Sequence, residues 1–234
     1  MGKEFRTITS FDSDFYNQDY FEKAGHYGWY DKTAFALEQP FHKKWAELIA
    51  HGLNIPQKAT LLDIGCARGN AVYWWQQMGI YAFGVDISQW AIEHAHTNSC
   101  ICLDITRGFN GFLFNYTRFD YAVCRETIEH IPEQKVSFVL SEIHKILNPE
   151  GIFLLSPATN RGGKEDKKRE SWKVDPSHVT IKTPYWWTTK LERAGFQIDF
   201  RKTYKLSSED MPLLNTWDLI VAVKNTENVE HTVK

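Results

Sequence analysis

Cysteine is scarce in this chain, and its placement argues against disulfides. Cys66, Cys100, Cys102 and Cys124 include no C-x-x-C pair. Cys100 and Cys102 stand too close for an ordinary structural bridge. All but Cys66 fall in apolar, strand-like runs, where a thiol serves as a small hydrophobe. Reduced thiols suit a cytoplasmic location. Long apolar runs are missing as well, so neither a membrane anchor nor secretion is expected. Met1-Gly2 would open a myristoylation signal, but Arg6 stands where that signal needs Ser or Thr. Nor is there an excess of positive charge: with a formal net charge of −2 the chain lacks a global basic field, which argues against nucleic acid while leaving room for a local basic strip.

What is present is the composition of a globular domain, 43% hydrophobic and 24% charged over 234 residues, enough for one α/β unit with a small cap. The first forty residues are rich in aromatics and poor in periodicity, with Tyr27, Trp29 and Tyr30 the candidate lid. A helix follows over Pro40–Gly52, its stripe formed by Phe41, Trp45, Leu48 and Ile49. From residue 59, strands and helices alternate: strand 59–64, helix 70–78, strand 80–85, a helix capped by Ser88 and running to about Thr97, and short strands at 100–103 and 119–124. The strongest helical pattern spans 133–147, with Val136, Val139, Leu140, Ile143, Ile146 and Leu147 on one face. Asn148-Pro149-Glu150-Gly151 turns the chain into strand 152–156. A polar loop over 158–174 precedes a helix at 183–193 and strands at 196–204 and 217–223. Repeated βαβ units with fully apolar strands predict a mostly parallel sheet covered by helices on both faces. The expected division is an aromatic-rich lid and helix (1–58), the α/β domain (59–224) and a frayed tail (225–234).

The chemistry concentrates at strand ends. Asp63 closes the first strand, and Gly65 and Gly69 follow it into a helix, a turn whose glycines let the backbone approach a ligand and whose helix start offers unpaired N–H groups. Asp86 ends the next strand and can accept from two ribose hydroxyls. Asp104 ends the third and can accept from an adenine amine. Carboxylates at the ends of three successive strands converge on the crevice where such sheets bind ligands. A dinucleotide enzyme would carry G-x-G-x-x-G, with pyrophosphate on the helix start. Here Asp63 stands beside the loop, where it would repel pyrophosphate but suits the cationic methionine end of S-adenosylmethionine.

Leu-Leu-Asp-Ile-Gly-Cys-Ala-Arg-Gly (61–69), Gly-Val-Asp-Ile-Ser (84–88), Leu-Asp-Ile (103–105), the run 119–131, Leu-Asn-Pro-Glu-Gly (147–151) and Arg-Ala-Gly-Phe (193–196) together resemble the ordered motifs of class I S-adenosylmethionine-dependent methyltransferases. The resemblance covers about residues 59–223. It implies a Rossmann-like fold, a seven-stranded sheet with the last strand inserted antiparallel. It also implies a methionine side lined by residues 124–126. The implied cofactor contacts are Asp63, Gly65, Cys66, Gly69, Asp86, Ile87, Asp104, Ile105 and Arg125.

Methyl transfer from a sulfonium asks the protein to position the acceptor and remove its proton. Glu126, Glu129 and His130 are spaced i, i+3, i+4 after the fourth strand, the spacing of one helical face. This E-x-x-E-H run is similar to the metal-binding run of O-methyltransferases of ubiquinone biosynthesis and of those acting on the 2′-hydroxyl of small-RNA 3′ ends. In the RNA group a further histidine completes the site, and His178 occupies a comparable place. Glu126, Glu129, His130 and His178 are therefore the candidate ligands of Mg2+ or Mn2+. A pocket floor without metal is the alternative, with His178 as general base and Glu126 beside it. The order G-C-A-R-G, then Y-A-F-G-V-D-I-S, then D-P-S-H-V-T-I-K-T-P-Y-W-W also resembles methyltransferases encoded with glycan-synthesis genes, which implies a sugar or glycan hydroxyl as acceptor. Tyr185, Trp186 and Trp187 fit a sugar ring. An RNA 3′-terminal 2′-hydroxyl, a small-molecule amine and a catalytically silent scaffold stand as the alternatives.

Overall fold

The computed structural model describes residues 13–22, 34–109, 118–159, 177–207 and 218–225. The expected lid at 27–30, most of the polar loop after 158, Trp217 and the tail beyond 225 lie outside them. One seven-stranded sheet organises the molecule. Its strands are β1 (Thr60–Ile64), β2 (Tyr81–Asp86), β3 (Cys100–Cys102), β4 (Phe119–Arg125), β5 (Leu147–Ser156), β6 (Phe196–Ile198) and β7 (Ile220–Lys224). They lie in the order β3-β2-β1-β4-β5-β7-β6. The first five run parallel, and β7 is antiparallel to both β5 and β6. This is the Rossmann-like arrangement that the family resemblance implied.

The helices are α1 (Gln18–Glu22), α2 (Pro40–Gly52), α3 (Asn70–Gln77), α4 (Gln89–Glu93), α5 (Glu133–Ile146), α6 (Pro184–Arg193) and α7 (Phe200–Leu206). Alternate residues of each central strand feed opposite layers, because successive side chains of a strand point to opposite faces. Leu62, Cys124, Leu155 and Ala222 join the α5 and α6 residues Val139, Leu140, Ile143, Trp187 and Leu191 in one core. Leu61, Val123, Leu154 and Val221 join Trp45, Ile49, Val72, Trp75 and Leu206 in the other. The Trp75 indole donates to the Ala46 carbonyl at 3.0 Å and so ties α3 to α2.

Three expected elements differ. The strand read over 196–204 stops at Ile198: the Asp199 side chain accepts from the Lys202 amide at 2.8 Å and starts α7, which buries Leu206 and leaves Phe200 and Tyr204 exposed. An N-capping aspartate overrode a β-like composition. The helix after Ser88 ends at Glu93 rather than near Thr97, and the chain returns to the glycine loop through His96 N–H to the Arg68 carbonyl at 2.9 Å. Strand β5 begins at Leu147, five residues early, because Leu147 pairs with Phe119 before a register shift lets Ile152 pair with Tyr121. Among the described residues no helix is long and apolar enough to cross a membrane.

Candidate active site

The loop after β1 is built on three left-handed residues, Gly65 (φ 78°), Ala67 (φ 49°) and Gly69 (φ 69°). Only glycine takes this conformation without steric cost, and Ala67 needs compensation. Asp86 supplies it. Its Oδ2 accepts from the Ala67 amide and its Oδ1 from the Ser88 amide, both at 2.8 Å, so one carboxylate fixes the loops that follow β1 and β2. Close approach is enforced as well. A Cβ on Gly65 would overlap the Thr127 side chain, and one on Gly69 would sit 2.6 Å from Cys100 Sγ.

Charge in this crevice is poorly hydrated. Burial pushes the Asp63 carboxyl up to about 7; the Arg125 guanidinium opposes the rise and Asp86 adds to it. Burial also raises Asp86, against the backbone amides of Ser88, Ala67 and Ile87. Glu126 is pushed up to about 7 by burial, with Arg125 again opposing. Arg125 lies over the Trp45 ring at 4.3 Å and the Phe41 ring at 5.3 Å, so α2 fixes the cation that faces these acids. Buried carboxylates with raised proton affinity attract an incoming cation, because a positive group restores their charged form. The donor set therefore fits the ammonium and sulfonium of S-adenosylmethionine. Asp104, the residue expected to meet the adenine amine, caps the turn that follows β3. Its Oδ1 accepts from the amide and the hydroxyl of Thr106 at 2.9 and 2.7 Å, and its Oδ2 pairs with Arg107 Nε at 3.1 Å, capping the 3-10 turn Ile105–Arg107.

The E-x-x-E-H run does not form one helical face. Glu126 is left-handed (φ 46°) and its amide donates to the Ser156 carbonyl at 2.8 Å, so it still belongs to the strand edge. The 3-10 turn starts only at Ile128 and ends at His130. Glu126 is thereby separated from the group it was expected to complete. Among the described residues, Glu129, His130 and His178 each bring one ligand atom within 4.8 Å of the others. Glu129 is fully buried and its Oε1 accepts from the Ala158 amide at 3.2 Å. The rings of His130 and His178 meet edge to face with centroids 4.6 Å apart.

The segment carrying His178 is laced to that turn. The Val179 and Thr180 amides donate to the Glu129 carbonyl at 3.0 and 2.9 Å, the Thr180 hydroxyl donates to the Ile131 carbonyl at 2.6 Å, and Ser177 Oγ lies 2.8 Å from His130 Nδ1. Of the aromatics expected to meet a sugar, Trp187 is fully buried core, Tyr185 is 81% exposed, and Trp186 lies beneath the ammonium groups of Lys182 and Lys190.

Several residues of this edge escaped the sequence reading. Tyr16 spans the crevice: its carbonyl accepts from the Ser88 hydroxyl at 2.5 Å, and its ring stands edge-on to His130 at 5.8 Å. Asn70 and His96 both hold the Phe35 carbonyl, at 3.0 and 2.8 Å, while His42 holds that of Ala34 at 2.8 Å. No local spacing signals these contacts. The one hint was the concentration of aromatics before residue 40.

Comparison with known proteins agrees with this geometry. Residues 29–199 match the family model described as a methyltransferase domain, nearly three-quarters of the chain. The chain belongs to the class I S-adenosylmethionine-dependent methyltransferase family. It is 30% identical over 120 residues to phosphoethanolamine N-methyltransferase 2 of Caenorhabditis elegans, covering 48% of this chain and 27% of that one. It is 27% identical over 150 residues to the ubiquinone biosynthesis O-methyltransferase of Haemophilus ducreyi, covering 58% and 61%. The chain thus spans less than two-thirds of the length of these relatives. A SAM-dependent methyltransferase from Archaeoglobus fulgidus shares the fold, with a TM-score of 0.57 and 17% identity over 81% of this chain and 99% of that one.

Proposed function

We propose that this protein transfers a methyl group from S-adenosylmethionine to a hydroxyl of a small polyhydroxylated acceptor, a sugar or glycan. The cluster of Glu129, His130 and His178 carries the reading. An amine loses its proton easily after attack, whereas a hydroxyl needs a base or a cation at the moment of transfer. Two imidazoles and a buried carboxylate, linked by Tyr16 to the cofactor edge, meet that need.

Asp63, Asp86 and Arg125 would hold the cofactor, Asp63 at its cationic methionine end and Asp86 at its ribose hydroxyls. Bound S-adenosylmethionine supplies a methyl group already activated on a sulfonium. The His178 imidazole takes the acceptor's proton, and the Glu129 carboxylate balances the charge that forms. The same three side chains are a nitrogen and oxygen donor set for a divalent ion such as Mn2+ or Mg2+, which would supply a Lewis acid for the hydroxyl. Similarity to the ubiquinone biosynthesis O-methyltransferase supports oxygen as the acceptor atom.

The test is a screen of the purified chain with methyl-labelled cofactor against sugars, glycosides and primary amines, with the products identified by mass spectrometry. Methyl ethers are expected, and His178→Ala should lower turnover at unchanged affinity for S-adenosylhomocysteine. Activity lost to a chelator and restored by Mn2+ assigns the cation. Exclusive N-methylation, which similarity to phosphoethanolamine N-methyltransferase 2 would favour, or full turnover of His178→Ala, overturns the reading.

A further inference from the structure

Asn70 is the first residue of α3, directly after Gly69 of the glycine loop, and it is only 3% exposed. Its Nδ2 donates to the Phe35 carbonyl at 3.0 Å and reaches the Ala36 carbonyl at 3.5 Å. A carbonyl oxygen only accepts, so these two partners fix which end of the planar amide faces them. Oδ1 is thereby turned away from them, and this oxygen is buried with no donor among the described residues. A buried acceptor that meets no donor is destabilising, and such an atom marks a place for water or a ligand. The surroundings select between the two. Ala67 of the glycine loop packs in the same apolar cluster as Phe35, Ile87 and Trp90. His96 ties the same two segments together, its Nε2 donating to the Phe35 carbonyl at 2.8 Å and its amide to the Arg68 carbonyl at 2.9 Å. Asn70 therefore sits at the joint between residues 34–36 and the loop that follows Asp63. Of the donors that S-adenosylmethionine carries, the ribose hydroxyls are expected at Asp86 on β2 and the adenine amine towards β3. The ammonium is left for the β1 side, and its three N–H groups need more acceptors than one carboxylate comfortably supplies.

We propose that Asn70 is a cofactor-specificity residue: its Oδ1 accepts a hydrogen bond from the ammonium of the methyl donor, beside Asp63, while its Nδ2 ties residues 34–36 to the glycine loop. The α-amino group is thereby read by a neutral oxygen as well as by a carboxylate. The assignment rests on the reading that places the ammonium at Asp63, but its test needs neither acceptor nor turnover.

Calorimetry on the full chain at about pH 8, where Asp63 is ionised, compares S-adenosylhomocysteine with its deamino analogue, in which hydrogen replaces the α-amino group. Asn70→Ala should weaken S-adenosylhomocysteine by about 10–100-fold more than it weakens the analogue, the worth of a hydrogen bond to a charged group. His96→Ala, which removes another donor to the Phe35 carbonyl, should weaken both ligands by the same factor. A merely structural Asn70 would behave as His96 does, so equal losses for the two ligands in Asn70→Ala overturn the proposal. If Asn70→Ala fails to fold, the wild-type chain decides. Its Asn70 13Cγ resonance should move on binding S-adenosylhomocysteine and hold its ligand-free position with the analogue, and an equal response to both overturns the proposal. A wild-type protein that binds the two ligands with equal affinity does not recognise the ammonium, which defeats the assignment of Asp63 together with that of Asn70. Equal losses in Asn70→Ala, with the wild-type preference for S-adenosylhomocysteine intact, remove Asn70 alone and leave Asp63 standing.

Discussion

Cofactor affinity should depend on pH through Asp63, and the magnitude follows from its surroundings. Without ligand, burial places this carboxyl at about 7, well above its ordinary 3.8. A cationic ligand group beside it requires the ionised form. At pH 8 about ten-elevenths of the unliganded protein is ionised at this residue, and at pH 6 about one-eleventh, so affinity for S-adenosylhomocysteine should fall about tenfold between them. If binding restores the ordinary value, the loss grows with further acidification to about a thousandfold near pH 4, or ~4 kcal/mol. Glu126 also titrates at about 7. If both acids must ionise, the fall between pH 8 and pH 6 becomes about a hundredfold, and the slope counts the protons released. Calorimetry at three pH values, each in two buffers of different ionisation enthalpy, measures affinity and proton release together. Asp63→Asn should reduce the slope by one proton and weaken binding at pH 8, whereas Glu126→Gln should leave the Asp63 contribution in place. An affinity flat from pH 6 to pH 8, with no proton released, would refute the picture of a desolvated acid awaiting a cation. The same shift has a stability consequence of defined sign. Because folding raises the pKa of Asp63, the unliganded protein is destabilised progressively as pH rises from about 4 to 7, and saturating cofactor should cancel that loss.

Other consequences can be measured directly. Gly65→Ala adds left-handed strain and an overlap with Thr127, so cofactor binding should be lost, and adding Thr127→Ala should recover only part of it by calorimetry. Trp187→Ala empties a fully buried position against α5, and urea unfolding should register a loss of about 3–5 kcal/mol. Asn70→Ala removes the amide donor that the Phe35 and Ala36 carbonyls share, so hydrogen exchange at the amides of residues 34–39 should accelerate while that of β1 stays unchanged.

The division between sequence and structure follows the range of the interactions. Asp63, the glycine loop and Asp86 could be read from the chain because each belongs to a strand-turn unit whose geometry is set within a few residues. The continuous apolar strands and the helix read over 133–147 were legible for the same reason: run length and periodicity report burial. Even local reading failed where two local signals competed. The β-like run after Phe196 concealed the cap at Asp199, and the i, i+3, i+4 spacing after β4 described a helix that the left-handed Glu126 prevents. The acceptor side is of another kind. The Val179 and Thr180 amides reach the Glu129 carbonyl from far along the chain, Tyr16 reaches His130 from the N-terminal side, and Ser177 meets His130 Nδ1 on the segment that Thr180 ties to the turn. The sequence by itself determined the tight turn after β1 and the strand-end acids Asp63 and Asp86, since these are local chemistry. Only the tertiary structure decided which acids lose their water and which side chains converge with Glu129, because burial and convergence are properties of the packed chain.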